Sequence, residues 1–72
     1  MVNWTEIKER LADAKDKAFC RFAYDGMSYN IQKDGDKFLL RDDYSGRLLY
    51  AAKGIGDISR NFYHIHRYGI GR

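Results

Sequence analysis

The side chains with the greatest capacity for chemistry lie in the last third of the chain, residues 47–72. This segment holds five lysine or arginine residues against one acid, Asp57, whereas residues 1–46 hold eight basic and nine acidic residues. The overall charge of +3, with neutral histidines, therefore comes from the C-terminal third. Such a segment attracts an acidic macromolecule, either nucleic acid or an acidic protein groove, through forces that salt screens. The candidate partner-binding residues are Arg47, Lys53, Arg60, Tyr63, His64, Arg67 and Arg72.

Four of these residues share one face if residues 58–68 form a helix. Arg60, Tyr63, His64 and Arg67 then form one stripe, because residues three, four and seven positions apart align on a helix. Guanidinium groups bind phosphate or carboxylate oxygens bidentately, and a tyrosine ring can stack on a base or fill a protein pocket. The alternative is that this stripe is an ordinary solvated helix face.

The histidines and the cysteine do not suggest a metal or catalytic site. His64 and His66 would share a metal ion only on a strand, since residues two apart on a helix point about 200° apart. Cys20 falls on an apolar strand face, where a thiol is usually packed and unreactive. The glycines after Lys53 lack the Gly-Lys-Ser/Thr pattern of a phosphate-binding loop, and Asp57 would repel a phosphate. We therefore expect no metal, no cofactor and no enzymatic activity.

The first element that positions these residues is a helix predicted over residues 4–18. Asn3 is a good N-cap residue, and Glu6, three residues later, completes a pattern that resembles a capping box. Glu6 also precedes Arg10 by one helical turn, which favours an ion pair. The apolar stripe of this helix consists of Trp4, Ile7, Leu11, Ala14 and Ala18.

From Phe19 onward the apolar period changes to two residues, which indicates β-strands separated by turns. Asp25-Gly26 is a preferred two-residue hairpin loop, because a type I′ turn requires positive φ at both central positions. This loop would pair Tyr24 with Met27. One face of the hairpin then holds Cys20, Phe22, Tyr24, Met27, Tyr29 and Ile31.

A second turn extends the same apolar face onto a third strand. Residues 34–35 repeat the Asp-Gly pattern, which would pair Lys33 with Asp36 and Ile31 with Phe38. Two independent turns thus predict one core face.

A third turn completes a four-stranded antiparallel meander. A three-residue loop, residues 44–46, with its glycine in the left-handed region, would close Asp43 on Arg47. On the face away from the core lie Leu39 and Leu49. Either the two helices divide between the two faces, or this apolar patch is a second interface that contacts a partner. The fourth strand adds three residues to the core face: Leu48, Tyr50 and Ala52.

The last element is predicted to be a helix over residues 58–68. Asp57 is a suitable N-cap, and Gly69 suits the position after a helix. The alternative is a fifth strand, because residues 62–66 are rich in aromatic and β-favouring side chains, although strict alternation fails. The apolar residues at helical spacing are Ile58, Phe62, Ile65 and Tyr68.

Length and composition bound the fold class and exclude several functions. At 72 residues, 44% hydrophobic and 32% charged, the chain fits a single small α+β domain spanning residues 1–72. No apolar run approaches the roughly 20 residues of a membrane span. With one cysteine and no signal-peptide pattern, we expect a cytoplasmic protein without membrane contact.

The predicted function is that of a small non-catalytic binding protein. It would be a regulator or inhibitor of the accessory kind that phages and mobile elements encode. Its basic, aromatic C-terminal face would bind nucleic acid or a protein complex that handles nucleic acid. The alternative is a self-associating structural or adaptor protein, such as a homodimer, that uses the apolar sheet face.

Overall fold

The structure, a computed structural model, describes residues 2–69 and contains two helices and one four-stranded sheet. The strands are adjacent in chain order and antiparallel, so the predicted α+β fold with a meander between two helices is confirmed. Neither described helix has the length and apolar composition that a membrane span requires. In chain order the elements are α1 (Trp4–Ala12), β1 (Phe19–Tyr24), β2 (Met27–Asp34), β3 (Lys37–Asp42), β4 (Leu48–Ala52) and α2 (Ile55–Tyr68).

Helix α1 begins as predicted but is shorter. Its N-cap is Asn3, and it ends at Ala12, whereas the sequence predicts a helix as far as Ala18. The residues after Ala12 leave the helix because they extend the sheet pairing. Lys33 N–H donates to the Ala18 carbonyl at 2.8 Å, and Lys17 N–H donates to the Lys33 carbonyl at 2.7 Å. Lys17 reaches this position with a φ of 73°, which no α-helix allows.

The first hairpin turn is the one predicted. Asp25 and Gly26 have φ values of 53° and 78°, as a type I′ turn requires. The turn pairs Tyr24 with Met27, and the predicted register of β1 against β2 is confirmed along its length.

The second hairpin turn lies one residue further along the chain than predicted. Asp34 pairs with Lys37, so the loop is Gly35-Asp36 and the predicted pairing of Lys33 with Asp36 is wrong. Gly35 occupies the first central position with a φ of 62°, which is the pattern of a type II′ turn. Because the pairing moves by an even number of residues, the same side chains stay on the core face.

The third turn closes on a different residue from the predicted one. Asp42, rather than Asp43, faces Arg47, since the Asp42 N–H donates to the Arg47 carbonyl at 2.9 Å. Gly46 has the predicted left-handed conformation, with a φ of 77°. Its N–H donates to the Asp42 carbonyl at 2.8 Å, which tightens the loop.

A bulge in β4 changes which side chains reach each face. Leu39 faces Ala51, but the register then shifts, so that Arg41 pairs with Leu48 and Leu49 is the extra residue. Leu48 therefore lies on the side of Arg41, away from the helices, and is 46% exposed. The prediction that Leu48 faces the core is wrong.

The C-terminal segment is a helix, so the alternative of a fifth strand is wrong. It begins at Ile55 with Gly54 as N-cap, and Asp57 lies in its first turn instead of capping it. The earlier start buries Ile55, which is 5% exposed, in the core. Gly69 ends the helix with a φ of 81°, and its N–H donates to the Ile65 carbonyl at 2.8 Å.

Both helices pack on the same face of the sheet. The helices therefore do not divide between the faces, and Leu39, although only 8% exposed, lies on the other face outside the main core. Each aliphatic or aromatic side chain buried in that core contributes about 1.5–3 kcal/mol relative to an exposed one. The core consists of Val2, Ile7, Leu11, Cys20, Tyr29, Ile31, Leu40, Ile55, Ile58, Phe62 and Ile65.

Candidate binding surface

The outward side of α2 carries a row of basic side chains. Arg60, His64 and Arg67 are exposed and align on one helix face, and we term this row the basic stripe. Between its two arginines the helix rises about 10 Å, at ~1.5 Å per residue. Lys53 is exposed just before the helix. Arg47, also exposed, precedes the first residue of β4 and is thus separated from Lys53 by the length of that strand.

Most of these cations have no acidic partner in the described part of the chain. Arg60 is paired with Asp57, one turn earlier on the same helix. Arg72, the last predicted site residue, lies outside the described residues. Three cations form no ion pair with any described residue: Arg47, Lys53 and Arg67.

The two tyrosines of α2 differ from expectation in how much of each ring is exposed. Tyr63 is half-buried: its ring lies 5.2 Å from that of Tyr24, and its hydroxyl accepts a hydrogen bond from Trp4 Nε1 at 3.3 Å. Tyr68, predicted to be an apolar anchor, is instead 51% exposed. The reason is that Trp4 and Tyr24 extend the packing to Tyr63, whereas Ile65 is the last core residue of α2.

Tyr68 forms an exposed cluster with two members of the basic stripe. Its ring centroid is 5.0 Å from that of His64, and the Arg67 guanidinium carbon lies 5.7 Å from the ring centre. An exposed ring beside cations can stack on a base while the cations bind phosphates. Sequence reasoning missed Tyr68 as a candidate binding residue, although its spacing of one turn from His64 was a usable signal.

The inner side of α2 ends in a hydrogen-bonded chain that sequence reasoning also missed. His66, with 12% of its side chain exposed, donates from Nε2 to Asp25 Oδ2 at 3.1 Å. Its Nδ1 is hydrogen-bonded to the Tyr29 hydroxyl at 2.5 Å. The available signal was the position of His66 one turn after Phe62, which places both on the same helix side. This chain links the last turn of α2 to the first hairpin.

A hydroxyl, an imidazole and a carboxylate in this order are also the groups of a catalytic triad, but Tyr29 lacks the properties of a nucleophile. Burial raises the pKa of the Tyr29 phenol, and the nearby carboxylates of Asp42 and Asp25 raise it further. An activated nucleophile needs the opposite shift. Tyr29 is also only 3% exposed. The arrangement therefore holds α2 in place, with the Tyr29 side chain itself buried.

Cys20 and the histidine pair occupy separate surroundings. Cys20 is 8% exposed, and its Sγ lies 3.8 Å from the Arg21 carbonyl oxygen. His64 is exposed while His66 is turned inward, so the two imidazoles do not face a common site. Within residues 2–69, no three His, Cys, Asp or Glu side chains are grouped as metal ligands would be.

The sheet face opposite the helices is uncovered and mixed in character. The predicted interface residues expose little area, since Leu39 is 8% exposed and Leu49 is half-buried against the core. Phe19 is 53% exposed, and the Arg21 guanidinium carbon lies 5.4 Å from its ring centre. Across the strands, one row is Phe19, Gln32, Leu39 and Ala51, and the next is Arg21, Asn30, Arg41 and Leu48.

Comparison with protein-family models, curated proteins and solved structures finds no match to this chain. The chemistry of the surface residues is therefore what indicates a function.

Proposed function

We propose that this is a small non-catalytic protein that binds nucleic acid through the basic stripe of α2 and thereby regulates or blocks a nucleic-acid process. The observation that carries the proposal is the unbalanced charge of the C-terminal third. Arg47, Lys53 and Arg67 are exposed without an acidic partner among the described residues, and Asp57 is the one acid of that segment. Phosphate groups would neutralise these cations and release condensed counterions, which favours binding. We also propose a cytoplasmic location, since a chain with one cysteine does not depend on an internal disulfide.

Nucleic acid suits this surface better than an acidic protein does. Protein interfaces concentrate their binding energy in a central, desolvated anchor, often tyrosine, tryptophan or arginine. The ring of Tyr63, the obvious anchor, is already packed against Trp4 and Tyr24. What the stripe exposes is cationic groups with one ring, Tyr68, at its end. Such a surface binds phosphates and stacks on a base but has no apolar centre.

The salt dependence of binding follows from the number of cations. Each phosphate contact contributes about 0.7 (single strand) to 0.9 (duplex) to the slope of log K against log salt concentration. Contacts from Lys53, Arg60 and Arg67 would therefore produce a slope of about −2 to −3.

Fluorescence anisotropy with labelled oligonucleotides tests the proposal. Single-stranded and duplex probes of two unrelated sequences are titrated at several salt concentrations. We expect the Arg60→Ala/Arg67→Ala double variant to bind all sequences about equally less well, with the slope reduced by roughly one per lost contact. If the wild-type protein binds no probe, the partner is not nucleic acid.

The matched control is Lys8→Ala/Lys15→Ala, which removes the same charge from exposed positions on and after α1. We expect this variant to keep the wild-type slope. An equal loss in both double variants would mean that net charge alone, rather than the basic stripe, attracts nucleic acid.

Self-association through the uncovered sheet face is a second candidate function. The observation that favours it is the exposure of Phe19 (53%) and Leu48 (46%) on that face. Sedimentation velocity in high salt tests it, with Phe19→Ser/Leu48→Ser as the disrupting variant. A dimer that persists in salt and is lost in the variant supports this function. A wild-type protein that stays monomeric at high concentration contradicts it.

A further inference from the structure

A groove runs between the end of α1 and the first half of β1, apart from the basic stripe. Its volume is about 410 Å³, and no member of the stripe lines it. Arg10 lines it from α1 and Arg21 from β1. Its apolar lining includes Leu11, Ala14, Ala18 and Cys20.

The strand beside this groove is an edge strand whose outer backbone groups have no strand partner. The two-residue turn makes Tyr24 and Met27 a hydrogen-bonded pair, so the even-numbered residues of β1 bond to β2. The bond from Lys33 N–H to the Ala18 carbonyl follows the same alternation. The odd-numbered residues direct their N–H and C=O groups away from the sheet, and within the described chain β1 pairs only with β2. These residues are Phe19, Arg21 and Ala23.

We propose that an extended, acidic segment of a partner protein binds in this groove by adding a fifth strand at the free edge of β1. Its backbone bonds to Phe19, Arg21 and Ala23, as in other cases of strand addition, where main-chain bonds supply affinity. Alternate apolar side chains enter the groove beside Leu11, and acidic side chains meet Arg21. The proposal is independent of nucleic-acid binding, because the basic stripe takes no part in it.

The charges around the groove select an acidic partner. Arg10 pairs with Glu6 at a loose 3.9 Å and Arg21 with Asp43 at 3.2 Å, with both arginine side chains about two-thirds exposed (65% and 69%). Exposed ion pairs of this kind contribute little to the stability of the folded state. A carboxylate of the partner can therefore replace Glu6 or Asp43 as the partner of the arginine. A second copy of the chain is disfavoured, because β1 pairing with β1 would bring two arginine-bearing edges together.

The probe that tests the proposal is a fluorescein-labelled octapeptide of alternating glutamate and valine. Its control is the same peptide with lysine in place of glutamate. We expect the glutamate peptide to bind at least about tenfold more tightly than the lysine peptide, because the groove is flanked by arginines. Equal affinity for the two peptides, or binding of neither, would overturn the proposal.

Peptides methylated at alternate backbone nitrogens distinguish strand addition from charge attraction. One set of methyl groups falls on the amides that face β1 and removes their hydrogen bonds, whereas the other set faces solvent. We expect one set to lose at least about tenfold in affinity and the other to bind as the parent peptide does. An equal effect of both sets would contradict strand addition. Because only the peptide is modified, the protein itself is unchanged in this test.

Amide hydrogen exchange locates the peptide on the chain. In the complex we expect slower exchange at Phe19, Arg21 and Ala23 and no change at Cys20 or Phe22, whose amides already bond to β2. Protection confined to α2 would overturn the proposal. Protection of the same three amides in the free protein at high concentration would show instead that the edge pairs with a second copy.

Two double variants complete the test. Arg10→Ala/Arg21→Ala removes the flanking charges from exposed positions and should weaken the glutamate peptide by about tenfold. Arg60→Ala/Arg67→Ala removes the same charge from the basic stripe and should leave peptide affinity unchanged. If both variants lose the same affinity, the peptide responds to net charge and the groove is not its site.

Discussion

The two sides of α2 differ in their side chains: the inner side is apolar and buried, and the outer side is basic and exposed. On the inner side, Phe62 is fully buried, with the rings of Trp4, Phe22, Tyr24 and Tyr29 at centroid distances of 4.9–5.5 Å. On the outer side, the basic stripe is exposed to solvent. Inner substitutions should therefore change the free energy of unfolding, and outer ones should change binding alone. One helix of a small protein thus supplies both core side chains and the surface that we propose binds nucleic acid.

Phe62→Ala is the strongest way to disturb the inner side. Removing a fully buried phenyl ring leaves a cavity among the surrounding aromatic rings, so we expect a loss of about 3–5 kcal/mol in unfolding free energy. Urea denaturation measures it. Tyr68→Ala, on the same helix but 51% exposed, is the control and should cost no more than about 0.5 kcal/mol. Similar costs for the two would mean that the helix sides are not energetically distinct.

Leu40→Ala tests the sheet side of the same core. Leu40 is 0% exposed and faces the helices, so its truncation should cost about 2–5 kcal/mol in a urea titration. Leu48→Ala on the neighbouring strand is the comparison, because Leu48 is 46% exposed on the uncovered face. A larger cost for Leu48 than for Leu40 would contradict the bulge that turns Leu48 away from the helices.

Tyr29→Phe removes one hydroxyl from the chain that holds the end of α2. His66 Nδ1 would lose its hydrogen-bond partner in a largely buried place, which should cost about 1–3 kcal/mol. Thermal unfolding at neutral pH measures the change. The Asp25→Asn variant keeps the Tyr29 hydroxyl and should cost less, since Asp25 is 77% exposed.

The same tyrosine predicts a difference in alkaline stability. The pKa of Tyr29 is raised in the folded state above its ordinary value of 10.0, mainly by burial. The stability that Tyr29 contributes to the folded state is therefore fully present below about pH 10. It is lost as the pH rises through the raised folded pKa, because the Tyr29 phenol ionises first in the unfolded chain. The wild type should therefore lose more stability than Tyr29→Phe as the pH rises above about 10. Parallel curves for the two proteins would contradict this account.

Arg60→Ala/Arg67→Ala should have the smallest effect on stability. Both side chains are exposed, and the one ion pair lost joins Arg60 to Asp57 on the helix surface, so we expect a change within about 0.5 kcal/mol. Oligonucleotide binding by the same protein should nevertheless weaken. A marked fall in the urea midpoint would show that the outer side also supports the fold.

The two Asp-Gly turns show that local sequence predicts one hairpin loop correctly and the other incorrectly. Asp25-Gly26 forms the loop that its sequence predicts, and the register of its hairpin follows. At the second turn, Gly35 N–H donates to the Asp16 carboxylate at 2.7 Å, and Lys17 pairs with Asp34. Asp16 and Lys17 belong to a segment that is distant in the sequence, and the turn that they contact is displaced by one residue from the predicted position. The local sequence alone did not distinguish the two cases.

The sequence likewise predicted only part of the candidate surface. Helical spacing was sufficient to predict that Arg60, His64 and Arg67 share one exposed side. It was not sufficient to separate Tyr63 from Tyr68, because the indole that binds the Tyr63 hydroxyl comes from Trp4, 59 residues earlier. The inward position of His66 likewise depends on a partner 37 residues away.

Periodicity and turn chemistry, which act over a few residues, were enough to predict the order of the six elements and most residues of the core face. They placed Leu48 on the wrong face and left the last segment open between a helix and a fifth strand. Only the tertiary structure decided that both helices cover one face of the sheet, that α1 stops at Ala12, and that Tyr68 is the exposed ring of α2. The physical reason is that packing and pairing partners lie far apart along the chain. Which side chains remain available to a partner is decided by these contacts, after local preferences have set the elements.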